Sequence, residues 1–423
     1  MSIVSPNHST VVDVKSLQQQ YQSYKAQGLK LDMTRGKPCS EQLDLANPLL
    51  TVLGINDYID ASGVDCRNYG GLSGIDEAKV LFAEYLGVDT SQLFIGGNTS
   101  LGLMYDIIAR SMSHGNSDSS APWSEQKSVK FLCPAPGYDR HFSICEHYNI
   151  QMIPINLMAN GDPDMDQIEH LVANDASIKG MWFVPKYGNP SGLCVSDKAV
   201  DRLANMHCAA NDFRIIWDNA YNVHHLTDEQ IEIKDLLKAC IKAQHSNRVF
   251  IIGSTSKITF AGAGVAMVGA SAENIKWIEK QASIQTIGSD KINQLRHVRF
   301  FKDMQGIKSH MKGHQAILAP KFKIVETVLS EHLAGKDLAT WSTPKGGYFV
   351  SLDVADNCAA KVVKMASQAG VIMTAAGATF PYQNDPRDSN IRIAPSLPSL
   401  EEIELAMRIL AVCIQLVASE STQ

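Results

Sequence analysis

The sequence has little of what marks a secreted, membrane-bound or nucleic-acid-binding protein. Its nine cysteines (Cys39, Cys66, Cys133, Cys145, Cys194, Cys208, Cys240, Cys358 and Cys413) are scattered, odd in number and form no C-x-x-C pair. That usage suits a reducing compartment, where thiols pack as small hydrophobes and no disulfide framework is needed. No stretch has the uninterrupted apolar length of a membrane span, and Met1 to Lys15 lacks the basic start and apolar core of a signal peptide. A cytoplasmic protein with no membrane partner is expected. The formal net charge is -6 and no Lys/Arg block interrupts it, so there is no basic footprint for nucleic acid. No internal repeat is evident and no metal site is expected. The single low-complexity stretch, Ser111 to Ser128, reads as a surface loop inside a domain. What remains is a globular chain whose partner is a small molecule.

With 423 residues and 45% hydrophobic content, the chain can bury a large core and divides into two or so domains. Between residues 90 and 270, short apolar runs alternate with stretches long enough for crossover helices, such as Asp197 to Asn211. Phe131-Leu132-Cys133, Gly180-Met181-Trp182-Phe183-Val184, Arg214-Ile215-Ile216-Trp217 and Val249-Phe250-Ile251-Ile252 are strand candidates. This is the pattern of a parallel sheet covered on both faces, an α/β architecture. From about residue 320 the texture changes. Gly346 to Leu352 and Ile391-Arg392-Ile393 read as strands, and Leu400 to Val417 as an amphipathic helix. A smaller α+β domain is expected there, joined by the N-terminal segment: 1–50 for that segment, 51–320 for the large domain and 321–423 for the small one.

Each strand candidate runs into a loop of unusual residues, and in open α/β sheets such loops converge outside the carboxyl ends of the strands. Together they supply an amine (Lys257), a carboxylate (Asp218), a phenol (Tyr221), a carboxamide (Asn189) and an aromatic ring (Tyr138). Lys257 stands where an apolar run stops at Ser254-Thr255-Ser256. Burial there disfavours the ammonium form and leaves an amine able to add to a carbonyl. Asp218 after a strand reads either as a helix N-cap or as a partner for a cationic ring nitrogen, and Asn189 before Pro190 either as a turn residue or as a donor. The set suits a flat heteroaromatic aldehyde with a protonated ring nitrogen, a ring hydroxyl and a phosphate, which is pyridoxal phosphate.

From residue 30 to 415 the order and spacing of these motifs resemble a fold-type-I, class I aminotransferase. The nearest likeness is the bacterial aspartate aminotransferase subgroup with Thr34-Arg35-Gly36-Lys37-Pro38. The resemblance implies a mostly parallel seven-stranded sheet between helices in the large domain. It also implies that Lys257 binds the cofactor covalently and moves the proton at the substrate Cα, that Asp218 pairs with the pyridine nitrogen, and that Tyr221 and Asn189 donate to the ring oxygen. Tyr138 would stack on the ring. Asn98 and Thr99 before the helical stretch Leu101 to Met112, with Ser254, would bind the phosphate, since a helix N-terminus favours an anion. Tyr69, in Tyr69-Gly70-Gly71-Leu72-Ser73-Gly74, would reach the phosphate of a neighbouring subunit, making a homodimer with shared active sites. Arg392 would hold the substrate α-carboxylate in bidentate fashion. Gly36 and Arg35 stand beside the substrate, with Arg35 the leading anchor for a second carboxylate and Lys37 behind it.

One departure is visible. Relatives carry a Gly-x-Arg after the lysine that pairs with the phosphate, whereas this chain has Ala261-Gly262-Ala263-Gly264-Val265-Ala266. Lys291 and Arg296 are the candidate replacements, with a solvated helix face as their other reading. The activity implied is transfer of the amino group from L-aspartate to 2-oxoglutarate, giving oxaloacetate and L-glutamate. Alternatives are a transaminase for aromatic or small neutral amino acids, and the cofactor-binding module of a transcription regulator. The latter needs a DNA-binding domain for which the roughly 30 residues before Thr34 are too few.

Overall fold

Every residue of Ile178–Phe183, Arg214–Asp218 and Val249–Ser254 is buried, which is why these segments read as unbroken apolar runs rather than alternating ones. They are the centre of a seven-stranded sheet in a computed structural model that describes residues 14–421. Of the expected N-terminal segment 1–50, residues 1–13 lie outside the described residues.

In chain order the strands are β1 (Leu31–Asp32), β2 (Leu93–Ile95), β3 (Lys130–Ala135), β4 (Gln151–Asn156), β5 (Ile178–Phe183) and β6 (Arg214–Asp218). They continue with β7 (Val249–Ser254), β8 (Ala266–Ala270), β9 (Ala339–Trp341), β10 (Val350–Val354), β11 (Val371–Ile372) and β12 (Asn390–Ile393). The large sheet has the order β2-β8-β7-β6-β5-β3-β4. Only β8 runs antiparallel to its neighbours β7 and β2. Alternate residues feed opposite faces: Ile215 and Trp217 pack into one apolar cluster, while Ile216 packs into another with Phe131, Trp182 and Phe250.

Beyond the long helix Met304–Leu333, β12, β10 and β9 form an antiparallel sheet. β1 pairs in parallel with β11, and Leu17 and Tyr21 of the first helix share a core with Leu410 and Ile414 of the last. The chain start thus packs on the C-terminal part.

Three strands of the large sheet have no counterpart among the strand candidates of the sequence. β4 carries Pro154, which cannot donate to a ladder and which an edge position tolerates. β2 is only three residues long, and β8 follows a glycine-rich turn that hides it. The helix expected over Asp197 to Asn211 stops at Asn205. Ser111 to Ser128 is not simply a surface loop. The helix Ser100–His114 runs into it, and Trp123, 1% exposed, donates from Nε1 to Asp212 at 2.9 Å. Among the described residues no helix is long and apolar enough to cross a membrane.

Candidate active site

The carboxyl ends of β5, β6 and β7 place Asn189, Asp218 and Lys257 around one space. Asp218 is the last residue of β6 and caps no described helix, so its carboxylate is free for another partner. Its Oδ2 lies 3.0 Å from His141 Nε2. Its Oδ1 is buried with no hydrogen-bond partner among the described residues. An acceptor left so costs folding free energy unless something else meets it.

Lys257 sits in a turn three residues past β7, with Nζ 5.0 Å from the centre of the Tyr221 ring. Burial lowers the amine's pKa, and the negative charge of Asp218 only partly opposes this. The turn is held through its carbonyls: Lys257 O accepts from Tyr348 Oη and faces His224 Nε2, both at 3.2 Å. His310 Nε2 lies 2.7 Å from Ile258 O. Burial keeps His224 neutral, its pKa pushed well below the usual range. Tyr221 is buried beside Lys257, and loss of water pushes its phenol well above ordinary, so it remains a donor. Tyr138 behaves likewise, pushed up to about 12 chiefly by burial.

His141 escaped the sequence reading. It lies three residues after Tyr138 at the start of the helix Asp139–His147, so both rings share a face, with centroids 5.0 Å apart. Stacking on Trp182, 4.6 Å away and 10° from parallel, fixes the imidazole against Asp218. The i, i+3 spacing from Tyr138 was the available signal, and Tyr221 with His224 repeats it.

Arg392, on β12, comes to the same space from the C-terminal part. Nη1 donates to Asp139 Oδ1 at 3.0 Å and Asn189 Oδ1 at 3.3 Å, and Nη2 to Thr374 Oγ1 at 3.2 Å, while Nε is buried and unpaired. Asp139 was not foreseen; a guanidinium this deep needs a counter-charge. Thr374 Oγ1 in turn donates to Thr34 O at 3.0 Å. The Thr34 to Lys37 segment is thus one residue removed from Arg392. A Cβ on Gly36 would run into the Phe349 ring, whose centre lies 5.0 Å from Arg392 Cζ. The Arg35 side chain is exposed.

At the other end, Gly96 to Thr99 folds against the segment after Lys257. Asn98 Nδ2 donates to Gly262 O at 3.3 Å, and Ser256 Oγ to Asn98 O at 3.2 Å. Thr99 is the N-cap of the helix Ser100–His114, with its side chain free of any capping bond. Ser254 closes β7, largely buried. The two candidate cations differ. Lys291 gives its ammonium to Asn68 O and Gly70 O, at 2.6 and 2.8 Å. Arg296 bonds Asn293 Oδ1 at 2.5 Å and keeps Nε unpaired, and Asn293 holds the carbonyls of Ala263 and Gly264. Tyr69 is 82% exposed and stands apart from this cluster on a turn of its own.

The site therefore holds an amine of lowered basicity, an unpaired buried carboxylate oxygen, a buried guanidinium and a helix N-terminus. Over residues 6–423 the sequence matches the model of the aspartate amino-transferase family. An aspartate aminotransferase of Corynebacterium glutamicum is 47% identical over 406 residues, covering 96% of this chain and 94% of that one. The crystal structure of an aspartate transaminase from the same species superposes with a TM-score of 0.95 at 46% identity, over 97% of this chain and 96% of the other. An α-aminoadipate aminotransferase of Thermus thermophilus shares the fold alone, with a TM-score of 0.75 at 17% identity over 95% of each chain. With a site of this chemistry and similarity along nearly its whole length, the chain belongs to the aspartate aminotransferase family.

Proposed function

We propose that the protein is a pyridoxal-phosphate-dependent transaminase that moves the amino group of L-aspartate to 2-oxoglutarate. The observation that carries the cofactor assignment is the buried, unpartnered Oδ1 of Asp218, an acceptor fitted to a ring N–H, next to an amine whose burial favours its neutral form. When bound, pyridoxal phosphate supplies an aldehyde for the amino group and a ring that takes up the electrons of the broken Cα–H bond.

The side chains then divide the work. Asp218 would accept from the ring nitrogen and keep it protonated, while the His141 imidazole holds its other oxygen. Because Asn189 Oδ1 accepts from Arg392, its Nδ2 is the end left to donate, and with the Tyr221 hydroxyl it would hold the ring oxygen. Tyr138 would stack on the ring. Thr99, Asn98 and Ser254 receive the phosphate at the helix N-terminus, and Arg296 is the cation left to balance it. Arg392 takes the substrate α-carboxylate in exchange for part of its contact with Asp139, which fixes the Cα–H bond toward Lys257. Lys257 Nζ, an amine of lowered basicity, would hold and move that proton. Tyr69 reaches the phosphate of a second copy, so the working unit is a homodimer.

Two measurements test this reading. The visible absorbance of the holoenzyme is expected to be bleached by aspartate and by glutamate and left nearly unchanged by alanine; equal bleaching by alanine removes the dicarboxylate assignment. The second concerns Arg35, exposed beside Gly36 and ready to meet a distal carboxylate. In Arg35→Ala, kcat/KM for aspartate is expected to fall by about 10- to 100-fold, the worth of one charge-assisted pair, with alanine or phenylalanine changed less than about threefold. Equal losses for all of them would release Arg35 from this role.

A further inference from the structure

We infer that Lys291 is a positioning residue for Tyr69: one buried ammonium clamps the carbonyls on either side of Tyr69 and aims its exposed phenol at the partner subunit. The inference rests on the homodimer reading above and goes beyond it. Tyr69 is 82% exposed, whereas Lys291 is 5% exposed. Its Nζ donates to Asn68 O at 2.6 Å and to Gly70 O at 2.8 Å, the two residues that flank the tyrosine. No carboxylate among the described residues lies within salt-bridge distance of it. Burying an ammonium against uncharged carbonyls is costly, so it stays there only by donating to both of them, and those two bonds fix the turn that carries Tyr69.

The surrounding backbone is shaped for this clamp. Gly70 and Gly71 have φ of +101° and +70°, a left-handed turn that brings Gly70 O to the donor that also holds Asn68 O. A Cβ on Gly71 would stand 3.1 Å from Lys291 Cδ, and one on Gly288 would press on Gly70 O at 2.6 Å. Before the tyrosine, Arg67 binds Asp65 through Nε and Nη2 and lies 3.4 Å above the Tyr58 ring. An exposed aromatic is thereby carried on a backbone fixed from both sides. Lys291 is thus spent within its own chain, not available to balance the phosphate.

The test is a double-mutant cycle read as the dissociation constant of pyridoxal phosphate, measured by titrating the apo dimer and following absorbance. Tyr69→Phe removes only the hydroxyl and is expected to weaken binding roughly tenfold or more. Lys291→Met is expected to weaken it by a similar factor, and to add less than about twofold when Tyr69 is already phenylalanine. If Lys291→Met does not fold, Gly288→Ala displaces Gly70 O from the other side and is expected to give the same non-additive pattern. Additive losses, or a Lys291→Met protein that keeps full affinity while Tyr69→Phe loses it, overturn the clamp and leave the role of Tyr69 standing. Unchanged affinity in Tyr69→Phe overturns both together.

Discussion

Replacing Lys257 with alanine is expected to lower kcat by about a thousandfold or more while the fold persists. In the proposed function the amine does two things. It must be neutral to join a carbonyl, and its environment supplies that: burial lowers its pKa, and Asp218 only partly restores it. It must also stand where a proton can move, and the turn is fixed for that by Tyr348 and His224 at its carbonyl. Loss of a positioned acid-base group alone costs about 10²- to 10⁴-fold. Stopped-flow absorbance separates this from loss of binding. The variant should still bind cofactor and aspartate, with conversion slowed. Conversion within tenfold of the parent would show that another base carries the proton.

The same residue has a stability signature. A lysine whose folded pKa is depressed binds fewer protons folded than unfolded. The penalty is therefore fully present below the folded pKa and fades as pH rises toward the ordinary lysine range near 10.4. Lys257→Met apoprotein is expected to melt higher than the parent at neutral pH, with the difference shrinking as the pH is raised. Equal melting temperatures throughout would mean that the site solvates the ammonium.

Asp218→Asn is the second large effect: an expected fall in kcat of about 10²- to 10³-fold, the range for removing one preorganised electrostatic partner. The substitution preserves shape and the neighbourhood of His141, so the loss reports charge. An amide in place of Oδ1 cannot keep a ring nitrogen protonated. Activity within a few-fold of the parent would remove the carboxylate from the mechanism. His141→Phe, which retains stacking on Trp182 but not the bond to Asp218, should give a smaller loss in the same direction, about tenfold.

The residues that meet at the site were legible because chemistry-bearing side chains stand where apolar runs end. Asn189 and Lys257 follow, and Asp218 ends, a strand buried on both faces, and such strands are visible as runs without needing alternation. β4 was not legible, because Pro154 and the exposed Gln151 and Asn156 on an edge strand imitate a loop. His141 was passed over because a histidine inside a helix announces nothing until its partner is known. For Arg392 the position could be read and the contacts could not. Asp139, Asn189 and Thr374 come from separate parts of the chain, and only packing brings them together.

By itself the sequence determined the class of fold, the strand ends that carry reactive groups, and the pairing of an amine with a carboxylate. These follow from short-range physics, since the length of an apolar run and the residue that stops it are local. Tertiary structure decided the rest: which oxygen of Asp218 is left open, which nitrogen of Arg392 is free, and that Lys291 holds its own chain's Tyr69 turn while Arg296 stays by the loop after Lys257. Each of those depends on hydrogen bonds between residues distant in sequence. Whether a buried polar group finds a partner is fixed only when the elements pack, and no spacing along the chain encodes it.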